Sequence, residues 1–184
     1  MRGLAPVEPS SIASVVLHRV ALPLVAPRVA AHGVETVRQS ILVEVVGDDG
    51  RRGWGECVAL ARPTYTSEWV DGAWWVLDRF LVPALLAGEV AGVVGHPMAS
   101  AALADARVDL ALRRGGQSLG GVLGSAPVVT SRAVVGLAVD PASLVEAVSA
   151  RLDQGYTAVK LKVAPETSAG VRRVRERWPD LDLA

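Results

Sequence analysis

The chain has a single cysteine, Cys57, so no disulfide can close within it. Nothing calls for an oxidising compartment, and with no CxxC partner a thiolate metal site is not expected. Net charge is absent as well: 19 basic side chains balance 19 acidic ones, which argues against a dedicated nucleic-acid binder. There is no long uninterrupted apolar run. The most apolar region, residues 73–94, is broken by Asp78, Arg79 and Glu89 and makes a poor membrane span. The opening MRGLAPVEPS has one arginine, two prolines and no following apolar segment of signal-peptide length. Together these absences indicate a soluble cytoplasmic protein. Lysine is the scarcest charge: of the 19 basic residues 17 are arginine, and the two lysines, Lys160 and Lys162, sit in one tripeptide.

What is present suffices for a packed core. With 51% hydrophobic side chains over 184 residues, the chain is globular and of one domain, or one and a fraction. Residues 1–10 read as a loose leader. Ile12–Leu22 is apolar and β-branched enough for a strand ending at Pro23, and Pro23–Gly33 reads as a loop. Thr36–Val46 alternates as a second strand, Asp48-Asp49-Gly50 turns the chain, and Gly53–Val58 returns as a third. A helix capped by Thr66 or Ser67 is expected to run to about Leu86, kinked or ended by Pro83. Pro97–Arg114 forms a second helix stopped by Gly115-Gly116, and a short turn follows at 118–123.

From Val128 the rhythm changes. Val128–Val139 reads as a strand, and Asp140-Pro141 starts a helix that Gly155 stops. Thr157–Val163 is the next strand, Thr167 or Ser168 opens a helix closed by Pro179, and Asp182-Leu183-Ala184 begins another strand. Strand, helix, strand, helix, strand signals parallel α/β structure. Residues 11–125 thus form an α+β unit, and 128–184 open a βα series. A complete eight-stranded barrel takes about 250 residues, so this is a small open sheet or a barrel continued beyond the chain.

Lys160 and Lys162 stand two apart in a strand and so share a face. An exposed edge with lysines on its wet side would explain them; so would a catalytic pair. A free lysine with pKa about 10.4 is neutral in only about 0.04% of molecules at pH 7. A neighbouring like charge and desolvation lower that pKa, and a lysine so tuned can take a proton from carbon. Arg28 and His32, in one loop, could contact an anionic substrate. The remaining candidates read as structural: His18 within a strand, His96 as a turn residue, Asp105 and Asp109 as a polar helix face, and Arg172, Arg173, Arg175 and Arg177 as a solvated one. The glycines at 115, 116, 120, 121 and 124 match neither a dinucleotide fingerprint nor a P-loop.

Several stretches taken together resemble a known family: Ala21-Leu22-Pro23-Leu24-Val25-Ala26-Pro27, Gly53-Trp54-Gly55-Glu56-Cys57, Pro63-Thr64-Tyr65, Gly95-His96-Pro97-Met98-Ala99, Gly116-Gln117-Ser118-Leu119, and Gly155-Tyr156 leading into Lys160-Leu161-Lys162. From about Ile12 the chain resembles the N-terminal half of the enolase superfamily in its muconate-lactonizing branch, nearest the o-succinylbenzoate synthases and N-acylamino acid racemases. The resemblance implies a capping domain followed by a truncated TIM-like (β/α) barrel of two βα units. It implies Lys162 as acid/base, Lys160 as its electrostatic partner, and a small carboxylate substrate. It also implies magnesium, whose carboxylate ligands would lie beyond residue 184; no metal ligand is expected within the chain. The implied reaction is a dehydration in menaquinone biosynthesis, with racemisation as the alternative. The chain alone is expected to be inactive, an incomplete or non-catalytic remnant whose open sheet binds hydrophobic dyes.

Overall fold

A computed structural model describes residues 8–30, 33–138 and 140–184. The chain divides between Ala126 and Pro127 into two compact units.

The first unit is built on three antiparallel strands in the order β1 (Ile12–Ala30), β2 (Gly33–Gly47), β3 (Arg52–Cys57). Alternation sets its faces: Ile41, Val43 and Val45 are fully buried on one side of β2. Against them lie α1 (Val70–Val76), α2 (Val82–Ala87) and above all α3 (Pro97–Arg114). The buried stripe of α3 is mostly small, with Ala99, Ala102, Ala106 and Leu110 stepping by three and four. Small side chains let the helix lie close to β3, and the strand answers with Gly53 and Gly55. A Cβ on Gly53 would stand 2.1 Å from the Ala106 carbonyl oxygen, and one on Gly55 1.9 Å from that of Ala102. These glycines are there for close approach of two backbones.

Three expectations for this unit are corrected. First, β1 does not stop at Pro23 but runs to Ala30, so Arg28 is a strand residue paired with Glu35. Proline is tolerated because β1 is an edge strand, free to turn a missing N–H away from the ladder. The two prolines leave their mark as an irregularity: between Pro23–Val37 and Arg28–Glu35, β1 advances five residues while β2 advances two. Second, neither Thr66 nor Ser67 caps the next helix, which begins at Val70. Its entrance is fixed instead by the Val70 N–H donating to the Leu60 carbonyl at 2.8 Å. Third, Pro83 occupies the first turn of α2, where its absent N–H costs little. The preceding residues, Leu77–Leu81, widen into a π-helical segment that joins α1 to α2. Among the described residues no helix is long and apolar enough to cross a membrane.

The second unit has a three-stranded parallel sheet in the order β4 (Ala133–Val135), β5 (Ala158–Leu161), β6 (Asp182–Leu183). The helices α5 (Pro141–Asp153) and α6 (Ser168–Arg177) connect successive strands, and α4 (Leu119–Leu123) belongs to the first unit. Asp140 caps α5, accepting from the N–H groups of Ala142 and Ser143, and the hydroxyl of Ser143 donates to it at 2.5 Å. Those bonds hold the Asp140 carboxyl below its ordinary range. Val135, Val159 and Leu161 point from the sheet onto Leu144, Val148 and Val174 of the helices. Of the strand expected over 128–139, the described residues form three; Val139 lies outside the described residues. A ladder exists only where it finds a partner, and β5 offers pairing for Ala133–Val135 alone, leaving Val128 and Val129 exposed.

Candidate active site

The helices cover one face of the parallel sheet, so period two assigns the other face directly. Val159 and Leu161 are buried against α5 and α6, while Lys160, between them, is exposed on the uncovered face. Lys162 lies one residue past the strand, not within it as expected. Its backbone N–H still donates to the Val135 carbonyl at 2.9 Å, which keeps it in the ladder. Lys160 and Lys162 therefore follow one another on the open face, toward the carboxyl end of β5. In parallel βα proteins that end carries the chemistry.

Neighbouring strands extend this face in layers. Val134 pairs with Lys160, and Asp182 pairs with Ala158 on the other side. Arg132, just before β4, forms an ion pair with Asp182 at 2.5 Å. Ala184 continues the β6 ladder, accepting from the Leu161 N–H at 2.9 Å and donating to the Val159 carbonyl at 3.0 Å.

The other candidates sit in the first unit. Arg28 is exposed and bonded to Glu35 at 3.4 Å; Glu35 also accepts from Arg38, whose second nitrogen donates to the Val58 carbonyl at 2.6 Å. His32 lies outside the described residues. His18 is structural: its ring nitrogen is 2.7 Å from Glu44, its face is near Trp54, and Arg52 donates to the same carboxylate at 2.8 Å. This explains how Glu44 stays 4% exposed inside a sheet. Asp109 serves the fold, accepting from the Trp54 N–H at 2.9 Å and from Arg113 at 2.7 Å. Cys57 is buried, and burial pushes its thiol up.

Two structural residues escape a reading of the sequence. Glu68 is 1% exposed and accepts from the N–H groups of Met98 and Ala99, the nearest contact being 2.8 Å, so a distant carboxylate caps α3. The signal was negative: α3 opens at His96-Pro97 with no serine, threonine, aspartate or asparagine to satisfy its first N–H groups. Arg114, at the end of the same helix, reaches Asp48 at 2.6 Å, Ser11 at 2.8 Å and Asp49 at 3.2 Å.

Among the described residues no group of three or more histidine, cysteine, aspartate or glutamate side chains could hold a metal ion. Asp182, the carboxylate on the lysine face, is already paired with Arg132. The described residues thus do not fit a magnesium site.

A three-stranded antiparallel sheet with its helices, followed by a parallel βα series, gives the chain the architecture of part of an enolase-superfamily protein. An enolase-superfamily member of known structure from Listeria innocua superposes with a TM-score of 0.86 at 28% identity, over 94% of this chain and 49% of that one. A probable mandelate racemase from Alicyclobacillus acidocaldarius gives 0.82 at 41% identity, over 95% and 50%.

Among curated proteins, the chain is 40% identical to an N-succinylamino acid racemase from Amycolatopsis over 92% of its own length and 49% of the relative's. It is 35% identical to an o-succinylbenzoate synthase from Geobacillus stearothermophilus over 94% and 49%. The chain spans about half the length of the curated relatives it matches. No protein-family model matches it.

Proposed function

We propose that the natural protein carrying this chain is a carbon–oxygen lyase of the o-succinylbenzoate synthase kind, acting in menaquinone biosynthesis. Lys162 removes the proton α to the carboxylate of a small substrate. Lys160, two residues away on the same face, is its electrostatic partner. The observation that carries this reading is the succession of Lys160 on the uncovered face of β5, opposite the helices, and Lys162 one residue beyond its carboxyl end, still in the ladder. A lysine delivered there meets substrate without crossing the apolar layer between sheet and helices. Arg28 and His32 are candidate contacts for a substrate carboxylate, and the lone reduced thiol of Cys57 suits a cytoplasmic location. Magnesium, the cation this chemistry calls for, belongs to the natural protein through residues other than those described.

The racemase reading has its own support, since the relative at 40% identity bears that name. Both reactions open with the same proton abstraction, and one experiment separates them. The natural protein is incubated in deuterium oxide with an N-succinylamino acid and, separately, with the synthase substrate. Release of water and appearance of the aromatic product establish the lyase. Deuterium at the α carbon with loss of optical purity establishes the racemase. Neither signal, in protein shown to be folded, leaves a non-catalytic remnant.

A further inference from the structure

Ala158 stands on the uncovered face of β5, two residues before Lys160, yet it is only 3% exposed. The helices do not cover it, because its neighbours Val159 and Leu161 are the residues that face them. Register identifies what flanks it on that face. Ala133 pairs with Val159, which puts Arg132 beside Ala158 on one side, and Asp182 pairs with Ala158 on the other. The Arg132–Asp182 ion pair therefore runs from the edge of β4 to β6, across the level of Ala158 in the strand between them. A longer side chain at 158 would stand in its way.

We propose that this pair is a cross-strand clasp, and that Arg132 and Asp182 are positioning residues for Lys160 and Lys162. The reason is the shortness of what they join. β6 comprises two residues and β4 three, so few ladder bonds define where β5 sits between them. The bonds nearest the lysines are the Lys162 N–H to Val135 and the Leu161 N–H to Ala184. The clasp closes the same three strands one layer below, on the lysine side, and resists sliding of either flank. A planar guanidinium against a carboxylate gives it directional as well as electrostatic hold. Its catalytic part rests on the function proposed above; its structural part does not.

The test uses Asp182→Asn, which keeps the shape and removes the charge, together with the exchanged pair Arg132→Asp/Asp182→Arg. In the 184-residue chain, hydrogen exchange at the Lys162 and Leu161 amides is expected to quicken about three- to fivefold in Asp182→Asn, the effect of one partly exposed ion pair. The Val148 amide, inside α5, keeps its rate. In the natural protein, kcat is expected to fall about tenfold with KM unmoved, since a small misplacement of a base costs rate rather than binding. The exchanged pair restores most of both. Unchanged exchange at Lys162 and Leu161 overturns the clasp. Quickened exchange with unchanged kcat, or a change in KM alone, overturns its positioning role. Failure of the function itself shows differently, as no turnover in the folded natural protein or full turnover in Lys162→Arg, and leaves the exchange result standing.

Discussion

Gly55→Ala is the severest single-methyl change the first unit offers. The new Cβ would lie 1.9 Å from the Ala102 carbonyl oxygen and 2.9 Å from both the Ala102 carbonyl carbon and the Ala106 nitrogen. Carbon and oxygen in ordinary contact stand more than about 3 Å apart, so β3 and α3 must separate by about an ångström. Neither partner can yield by rotating a side chain, because every clashing atom is backbone. The separation would open the seam that buries Ala99, Ala102, Ala106 and Leu110 against the sheet. Overpacking of this kind costs about 1–3 kcal/mol and occasionally more; the backbone character of the clash places it near about 3 kcal/mol. A change of that size lowers the melting temperature by about 6–12 °C in a protein of 150–250 residues, or more if the unit melts alone. Urea unfolding followed by tryptophan fluorescence reads it directly. Ala102→Gly added to Gly55→Ala should not rescue, since the obstructing atom is the carbonyl and not the methyl. A loss below about 0.5 kcal/mol, or rescue by Ala102→Gly, would refute the close-approach reasoning.

Three further outcomes follow from the same contacts. Lys162→Arg in the natural protein lowers turnover by about a hundred- to ten-thousand-fold, the ordinary contribution of a general base, with no change in urea midpoint; retained turnover removes Lys162 from its role. Glu68→Ala strips the first turn of α3 of its buried acceptor and costs about 1–2 kcal/mol in urea unfolding, whereas Glu68→Gln, which keeps one carbonyl acceptor, costs less. Asp49 is held down at about 2, first by its hydrogen bond from Arg51 and also by Arg114, against an ordinary 3.8. Its contribution is therefore complete above 3.8 and disappears as pH falls toward 2, so Asp49→Asn flattens the acid-unfolding profile in that window and leaves its shape at higher pH unchanged.

Much of the fold was legible because local signals and tertiary needs agree. Pro97–Arg114 carries a proline at its start and a double glycine at its end, and forms between the bounds those signals give. Asp140-Pro141 behaves likewise, with the carboxylate on the N–H groups of Ala142 and Ser143. The misreadings fall where a partner elsewhere in the fold decides. Pro23 ends a strand by local rule, yet β2 supplies residues opposite it and the edge position forgives its missing N–H. The stretch Val128-Val129-Thr130 has strand composition but no strand to pair with. Pro83 reads as a kink or a stop, and the chain meets it with a widened turn instead.

The candidate site is legible in one part and silent in another, for a physical reason. Two lysines separated by one leucine need only the two-residue period of a strand to share a face, and the cost of burying two ammonium groups among helices turns that face away from them. Lys160 and Lys162 could therefore be placed from the tripeptide and its flanks. The Arg132–Asp182 pair could not. Its members are 50 residues apart, joined by no pattern in either segment, and their meeting depends on the register of three strands at once. Glu68 and the start of α3 show the same limit at 30 residues. In both cases the sequence shows half of the transaction, an unsatisfied helix end or an unpaired charge, and the fold alone names the other half. Ala158 is the residue that converts this into something testable from the sequence side. Larger side chains there should displace the clasp while keeping strand propensity, so Ala158→Val should quicken exchange at Lys162 as Asp182→Asn does, with α5 untouched. Equal protection in Ala158→Val and the parent would show that the methyl's burial owes nothing to that pair.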